Sequence, residues 1–259
     1  PHVQVVSLDL CCRSELEAIK RCANLHDHVL YPCFYVFSAA LLCILHGYDH
    51  IAVGNERSAN LGNLTLDGRT INHQFEKSFA FEARAHTYIR RYIGEDIHYF
   101  SGLMPLWEVQ IVRAFAELEA YHAVFMSCNQ PEGSRWCGRC PKCAWTYLLL
   151  AAFIDPPKPS AVFGDDLFRV PELLPIFEEL MGLGSIKPLE CVGTPEEVLL
   201  ALHLAEKRQR SVAWGSAELF RRHSQRIDEA AKFLPLLAER GTEQLFPTWY
   251  RLPDSMFKS

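Results

Sequence analysis

The chain has 259 residues, 49% of them apolar and 22% charged, enough to bury a full core as one large domain or two smaller ones. Its 26 basic and 31 acidic residues leave a formal charge of −5 at neutral pH, which excludes an overall positive field able to hold DNA or long RNA. The apolar runs Phe34 to Leu45 and Ala144 to Ile154 fall short of the roughly 18 residues a bilayer span needs, and Val3 to Leu10 lacks the flank and cleavage site of a secretory signal. A soluble, cytoplasmic protein with neither nucleic acid nor membrane as partner is therefore expected.

Leu16, Ile19 and Ala23 recur at helical spacing, and Tyr31 to Leu45 continues as an apolar helix ending near His46-Gly47. Asp49 to Gly54 reads as a buried parallel strand that stops in the polar string Asn55-Glu-Arg-Ser-Ala-Asn60, at the carboxyl end where open α/β sheets bind ligands. Leu61 to Lys77 is polar and contains glycine, as an active-site loop would. Phe81 to Ile93 and Pro105 to Tyr121 have helical periodicity, with Pro105 suiting a first turn, and His122 to Met126 is a second strand candidate. Tyr147 to Ile154 is helical until Asp155-Pro-Pro-Lys-Pro159 breaks it. Helices follow at Leu173 to Met181, Pro195 to Arg208 and Ala217 to Arg240, with Gly241 placed as a stop. Charged stretches such as Glu206 to Arg210 and Arg221-Arg222 read as solvated helix surface.

Ten cysteines are too few for a disulfide scaffold, and four of them crowd together as Cys128-x8-Cys137-x2-Cys140-x2-Cys143. Two tight CxxC turns let a backbone wrap one ion in a tetrahedron of thiolates. All four positions are filled by Cys, so the predicted site is a structural zinc rather than a reactive one. Cys11, Cys12, Cys22, Cys33 and Cys43 sit in apolar or helical surroundings and read as small buried hydrophobes.

The second cluster runs through Asn55, Glu56, Arg57, Ser58 and Asn60, then Asn72, His73, Gln74, Glu76 and Lys77. Glu56 could hold Mg²⁺, Arg57 and Lys77 could bind phosphate, and His73 or Glu76 could move protons. In the third, Lys187-Pro-Leu-Glu-Cys-Val-Gly-Thr194-Pro-Glu-Glu197, a capping box with Pro at the first helical position accounts for Thr194, Pro195 and Glu197. It leaves Lys187, Glu190 and Cys191 without a structural job.

Asn-Glu-Arg-Ser-Ala, Asn-His-Gln, Trp-Cys-Gly-Arg-Cys-Pro-Lys-Cys and Lys-Pro-Leu-Glu-Cys-Val-Gly-Thr stand here in the order in which the UDP-N-acetylmuramoyl-L-alanyl-L-glutamate epimerase family carries similar strings. The chain resembles that family over roughly residues 50 to 197. The resemblance implies an isomerase of peptidoglycan precursor synthesis that depends on ATP and Mg²⁺. It further implies a Rossmann-like parallel sheet of the PP-loop, or adenine-nucleotide hydrolase-like, kind. Residues 1–127 would be the remainder of that α/β domain, and 128–259 a zinc-bearing, mainly helical region. ATP would adenylate the substrate's carboxylate, with His73, Glu76, Lys77 and Cys191 as candidates for proton transfer. Asn55, Glu56, Arg57, Ser58, Asn60, Asn72, Gln74 and Lys187 would bind substrate and nucleotide. The Ser-Gly-Gly-x-Asp-Ser loop with which PP-loop enzymes grip ATP occurs nowhere in the chain, so a missing N-terminal nucleotide-binding portion is expected. Two alternatives stand beside this reading. One is an amidating or nitrile-forming PP-loop enzyme, since the cysteine spacing is also similar to that of 7-cyano-7-deazaguanine synthase. The other is a zinc-stapled remnant without catalysis.

Overall fold

In a computed structural model the described residues are 5–7, 31–62, 64–131, 133–184, 190–208 and 217–258. The chain forms a mixed α/β molecule, mostly helical, whose small parallel sheet joins β1 (His50–Glu56) to β4 (His98–Leu103). His50 lies opposite His98 and Val53 opposite Ser101, and the register shifts between Val53 and Glu56. A parallel pair needs a long crossover. Here it contains the antiparallel hairpin β2 (Leu64–Leu66) and β3 (Arg69–Ile71), a single turn at Phe75–Lys77, and helix α2 (Phe79–Tyr92). Ser78 caps α2 by accepting from the Phe81 amide at 3.3 Å.

Helix α1 (Tyr31–His46) precedes β1 and buries Val36, Ala40 and Cys43, the i, i+4, i+7 stripe of a helix packed along one face. With Ala85 and Ile89 of α2, these residues close over Ile51 and Tyr99 as one apolar cluster. Cys43 is thus a small buried hydrophobe, as its surroundings predict.

A larger cluster forms around α4 (Pro141–Phe153), in which every residue from Cys143 to Ala152 is buried. Such a helix, apolar on all sides, belongs at the centre of its layer. It is surrounded by α3 (Glu108–Phe115), α5 (Lys158–Phe163), α6 (Leu174–Leu180), α7 (Pro195–Arg208) and, through α7, by α8 (Glu218–Glu229). Arg221 and Arg222 of α8 lie on the solvated face, paired with Glu218 and Glu178.

Several expectations are corrected. His122 to Met126 is no strand: the amides of Val124 and Phe125 both donate to the Tyr121 carbonyl at 3.1 Å, so the segment coils locally instead of offering an edge. The helix expected from Pro105 to Tyr121 is only α3, because Trp107 takes the N-cap position and its amide is held at 2.9 Å by the Gln110 side chain. The helix expected to reach Arg240 stops at Glu229 and tightens into a 3₁₀ run, Ala230–Leu237, that contains Pro235. A proline there supplies no amide and would clash with the carbonyl four residues back in an α-helix. Gly241 is accordingly no helix stop. Its amide donates to the Pro105 carbonyl at 2.9 Å, and a Cβ would sit 3.0 Å from the Pro105 Cα. The helical spacing at Leu16 to Ala23, Cys11, Cys12 and Cys22 lie outside the described residues, as does the side chain of Cys33.

Candidate active site

At the end of β1, Asn55 faces a cavity of about 630 Å³ while Glu56 turns away from it. α1 contributes Tyr35 and Ala39 to this cavity, and the turn after the hairpin contributes His73, Gln74, Glu76 and Lys77. Asn129, Glu190 and Cys191 arrive from distant parts of the chain. The Lys77 ammonium donates to the Cys191 sulfur at 2.6 Å, joining residues 114 positions apart.

The other polar residues of the first cluster hold the loop in shape. The Glu56 carboxylate accepts from the amides of Ser58 and Ala59 and so caps the turn Arg57–Asn60. Asn60 accepts from the Phe79 amide at 2.7 Å, at the start of α2. Asn72 donates to the Ala59 carbonyl at 2.7 Å and accepts from the Gln74 amide at 2.8 Å, which locks the His73–Lys77 turn onto the end of β1.

Cys191 is clamped from the cysteine-rich side as well. Lys142, between Cys140 and Cys143, donates to the Cys191 carbonyl and lies 3.6 Å from the Glu108 carboxylate. Asn129, next to Cys128, donates to the Glu190 carboxylate. Gly193 permits the approach, since a Cβ there would stand 2.4 Å from the Trp145 ring. Any larger residue would push the Cys191 segment off α4.

The four cysteines converge as expected. Their sulfurs all lie within 4.8 Å of one another, with Cys128 to Cys140 at 4.0 Å, Cys137 to Cys143 at 3.6 Å, Cys140 to Cys143 at 3.5 Å and Cys128 to Cys143 at 3.6 Å. A tetrahedron of sulfurs about 2.3 Å from a central ion has edges near 3.8 Å. The group therefore fits a metal ion, and it is the only such grouping of His, Cys, Asp and Glu among the described residues.

Three carboxylates, those of Glu56, Glu108 and Glu197, lie close enough for their charges to act on one another. Glu197 is fully buried and closes the predicted capping box: its carboxylate accepts from the Thr194 amide at 3.0 Å, and the Thr194 hydroxyl accepts from the Glu197 amide at 3.2 Å. It also accepts from the Val109 amide at 3.3 Å, a tie to α3 that the box alone did not foretell. Burial, with the charges of Glu56 and Glu108 adding to it, pushes Glu197 up to about 8. Burial and then Glu108 push Glu56 up to about 7.

The MurL N-terminal domain profile matches residues 13–102, and the MurL C-terminal domain profile matches residues 124–235. Together, in that order, they take in most of the chain. The chain belongs to the MurL family. Among its curated relatives, the UDP-N-acetyl-alpha-D-muramoyl-L-alanyl-L-glutamate epimerase of Salinispora tropica is 37% identical over 185 residues, 70% of this chain and 40% of that protein. The protein of the same name from Xanthomonas oryzae pv. oryzae is 30% identical over 263 residues, covering 96% of this chain and 57% of the relative. That of a Micromonospora species is 33% identical over 211 residues, 80% of this chain and 46% of the relative. The chain thus spans about half the length of the curated relatives it matches. No solved structure matches it.

In this MurL family member, Asn55, His73, Gln74, Glu76, Lys77 and Cys191 line one cavity. Glu56, Arg57, Ser58, Asn60 and Asn72 do not line it. The Arg57 guanidinium instead pairs with Glu239 at 2.9 Å and lies 4.5 Å over the Trp107 ring, on the side of the C-terminal segment. Lys187 lies outside the described residues. Tyr35, Tyr99, Asn129 and Lys142 escaped the sequence reading. Only the adjacency of Asn129 and Lys142 to metal-spaced cysteines could have drawn attention to them. No helix among the described residues is long and apolar enough to cross a membrane.

Proposed function

We propose that the cavity binds the terminal glutamyl residue of a UDP-linked muramoyl dipeptide and inverts its α-carbon from L to D, at the expense of ATP. The observation that carries this reading is the single concave surface that gathers His73, Glu76 and a Lys77–Cys191 pair, in a chain whose relatives bear the name of that epimerase.

The α-hydrogen beside an ionised carboxylate is barely acidic, because its removal sets a second negative charge next to the first. ATP, accompanied by Mg²⁺, removes the obstacle by converting the carboxylate to an acyl-adenylate with release of pyrophosphate. One cavity group then takes the α-proton, and the electron pair spreads onto the activated carbonyl as an enolate. A group on the other face returns a proton, and water splits the anhydride to AMP and the D-glutamyl product. We assign the two transfers to His73 and Cys191. The Lys77 ammonium faces the charge the sulfur carries once its proton is given up. Glu76 serves beside them, and Asn55 and Gln74 orient the substrate's polar groups.

The parallel pair β1 and β4 is read as part of a Rossmann-like sheet of the PP-loop kind, with a domain boundary near residue 127. The metal is read as structural zinc held by Cys128, Cys137, Cys140 and Cys143, which would hold Lys142 and Asn129, and through them Cys191, in place.

The test follows the configuration of the glutamate in the complete gene product and in its Cys191→Ser and His73→Asn forms. The expected result is D-glutamyl product with AMP from the parent, and loss of inversion in both variants with the metal retained. AMP that forms only with ammonia, the glutamate remaining L, would hand the case to the amidating reading.

A further inference from the structure

A second cavity, of about 680 Å³, is lined by residues on either side of Cys128 in the sequence and lies within the size range of small-molecule sites. Its walls are the irregular segment from Glu119 to Met126, the loop Gly133 to Trp136, and the ends of α4 and α5. The rings of Phe125 and Trp136 stand 5.2 Å apart and that of His122 packs on Phe115 at 5.1 Å, so the cavity offers an aromatic wall. Two exposed cations are among its lining residues. Lys158 pairs with Glu119 at 2.8 Å, and Arg135 is exposed and has no hydrogen-bond or ion-pair partner among the described residues.

The two cavities are neighbours by covalent necessity. Met126 lines this one and Asn129 lines that of Lys77 and Cys191. Three residues of chain reach at most about 11 Å, so the rims cannot be farther apart than that at this point. Between Met126 and Asn129 in the sequence stands Cys128, a member of the sulfur cluster, and Trp136 precedes its fellow Cys137. The cysteine element is therefore covalently continuous with the rims of both hollows.

A nucleoside diphosphate joined through a sugar to a dipeptide is far longer than that gap, and its two ends differ in the chemistry that would recognise them. The glutamyl end needs polar groups and proton carriers. The nucleotide end needs aromatic faces for the base and cations for the diphosphate. We propose that this second cavity receives the uridine diphosphate end of the substrate, the base against Phe125 and Trp136 and the diphosphate against Arg135 and Lys158. The proposal rests on the epimerase reading for the identity of the molecule. It gives the cysteine element a task beyond stapling: it fixes the span between the end that is recognised and the end that reacts. Binding energy gathered at the nucleotide would then serve to position the glutamate.

Titration calorimetry with UDP, uridine and inorganic pyrophosphate as separate probes tests it. UDP should bind more tightly than either fragment. Arg135→Glu, at an exposed position, and Ala161→Trp, an exposed α5 residue that would fill the cavity, should each weaken UDP by about tenfold or more. Lys77→Met, in the other cavity, should leave UDP binding unchanged. No UDP binding, binding indifferent to both Arg135→Glu and Ala161→Trp, or binding lost only in Lys77→Met would each overturn the proposal. So would an effect of these two variants confined to self-association. Failure of the epimerase reading is separable: UDP bound here without inversion of the glutamate leaves the nucleotide site standing, whereas inversion by a protein whose UDP binding ignores Arg135 leaves the epimerase and removes the site.

Discussion

Cys191 is held at two atoms and its neighbour at a third: Lys77 grips its sulfur, Lys142 its carbonyl, and Asn129 the carboxylate of the residue before it. A side chain that carries a proton contributes about 10²- to 10⁴-fold to rate, so Cys191→Ala should cut inversion by that much while leaving the melting temperature near the parent's, as paired rate and melting measurements would show. Among the described residues the Lys142 ammonium pairs with the backbone carbonyl of Cys191 and the Glu108 carboxylate, and Lys142 is a positioning residue. Lys142→Met should lower kcat more than it raises KM, and Lys142→Arg should restore part of the loss; equal loss of both variants with a fall in melting temperature would mean a merely structural role. These two residues also show how legible the site was. Cys191 stood out in the sequence because a capping box explained its neighbours and not it. Lys142 was hidden inside a cysteine spacing that already had an explanation. Glu56 misled because its carboxylate is taken up in capping the turn that follows β1, by accepting from the Ser58 and Ala59 amides, a local job the string does not announce.

Among the elements, the cysteine motif was legible because metal spacing is a local property, and four sulfurs all within 4.8 Å of one another follow from it. Protein as isolated should contain one zinc per chain by elemental analysis. Chelation, or Cys137→Ser, should lower the melting temperature and loosen the Cys191 clamp, since metal binding is coupled to folding. β4 was not legible: its aromatic run His98–Leu103 pairs with a strand more than forty residues earlier, a partner that no local pattern announces. The capping box at α7 was legible, but the burial of its Glu197 beside Glu56 and Glu108 was not, because tertiary packing brings them together. That burial has a pH consequence. Glu197 and Glu56 are raised to about 8 and about 7 in the folded chain, so between roughly pH 5 and 8 the unfolded chain loses these protons first. Their contribution to stability is complete at and below the ordinary carboxylate range and is lost as pH rises through the folded values. Thermal unfolding should therefore shift downward from pH 5 to pH 8, and Glu197→Gln should flatten that slope; an unchanged slope would place the buried charge elsewhere.

At the scale of the whole molecule, two apolar clusters form, one with the parallel pair and one around α4, and the segment that carries Glu190 to Glu197 is hydrogen-bonded both to Lys77, ahead of α2, and to Lys142 of α4. The breadth of the sheet was not legible from the four ordered strings of sequence, and the described residues contain its two parallel strands. Since the chain spans about half the length of its curated relatives, the decisive assay belongs to the complete gene product. Incubated with the L-glutamyl precursor, ATP and Mg²⁺ in deuterated water, it should place deuterium on the glutamate α-carbon as AMP accumulates, because both proton transfers pass through exchangeable groups of the cavity. AMP formed with the α-hydrogen fully retained would contradict the account.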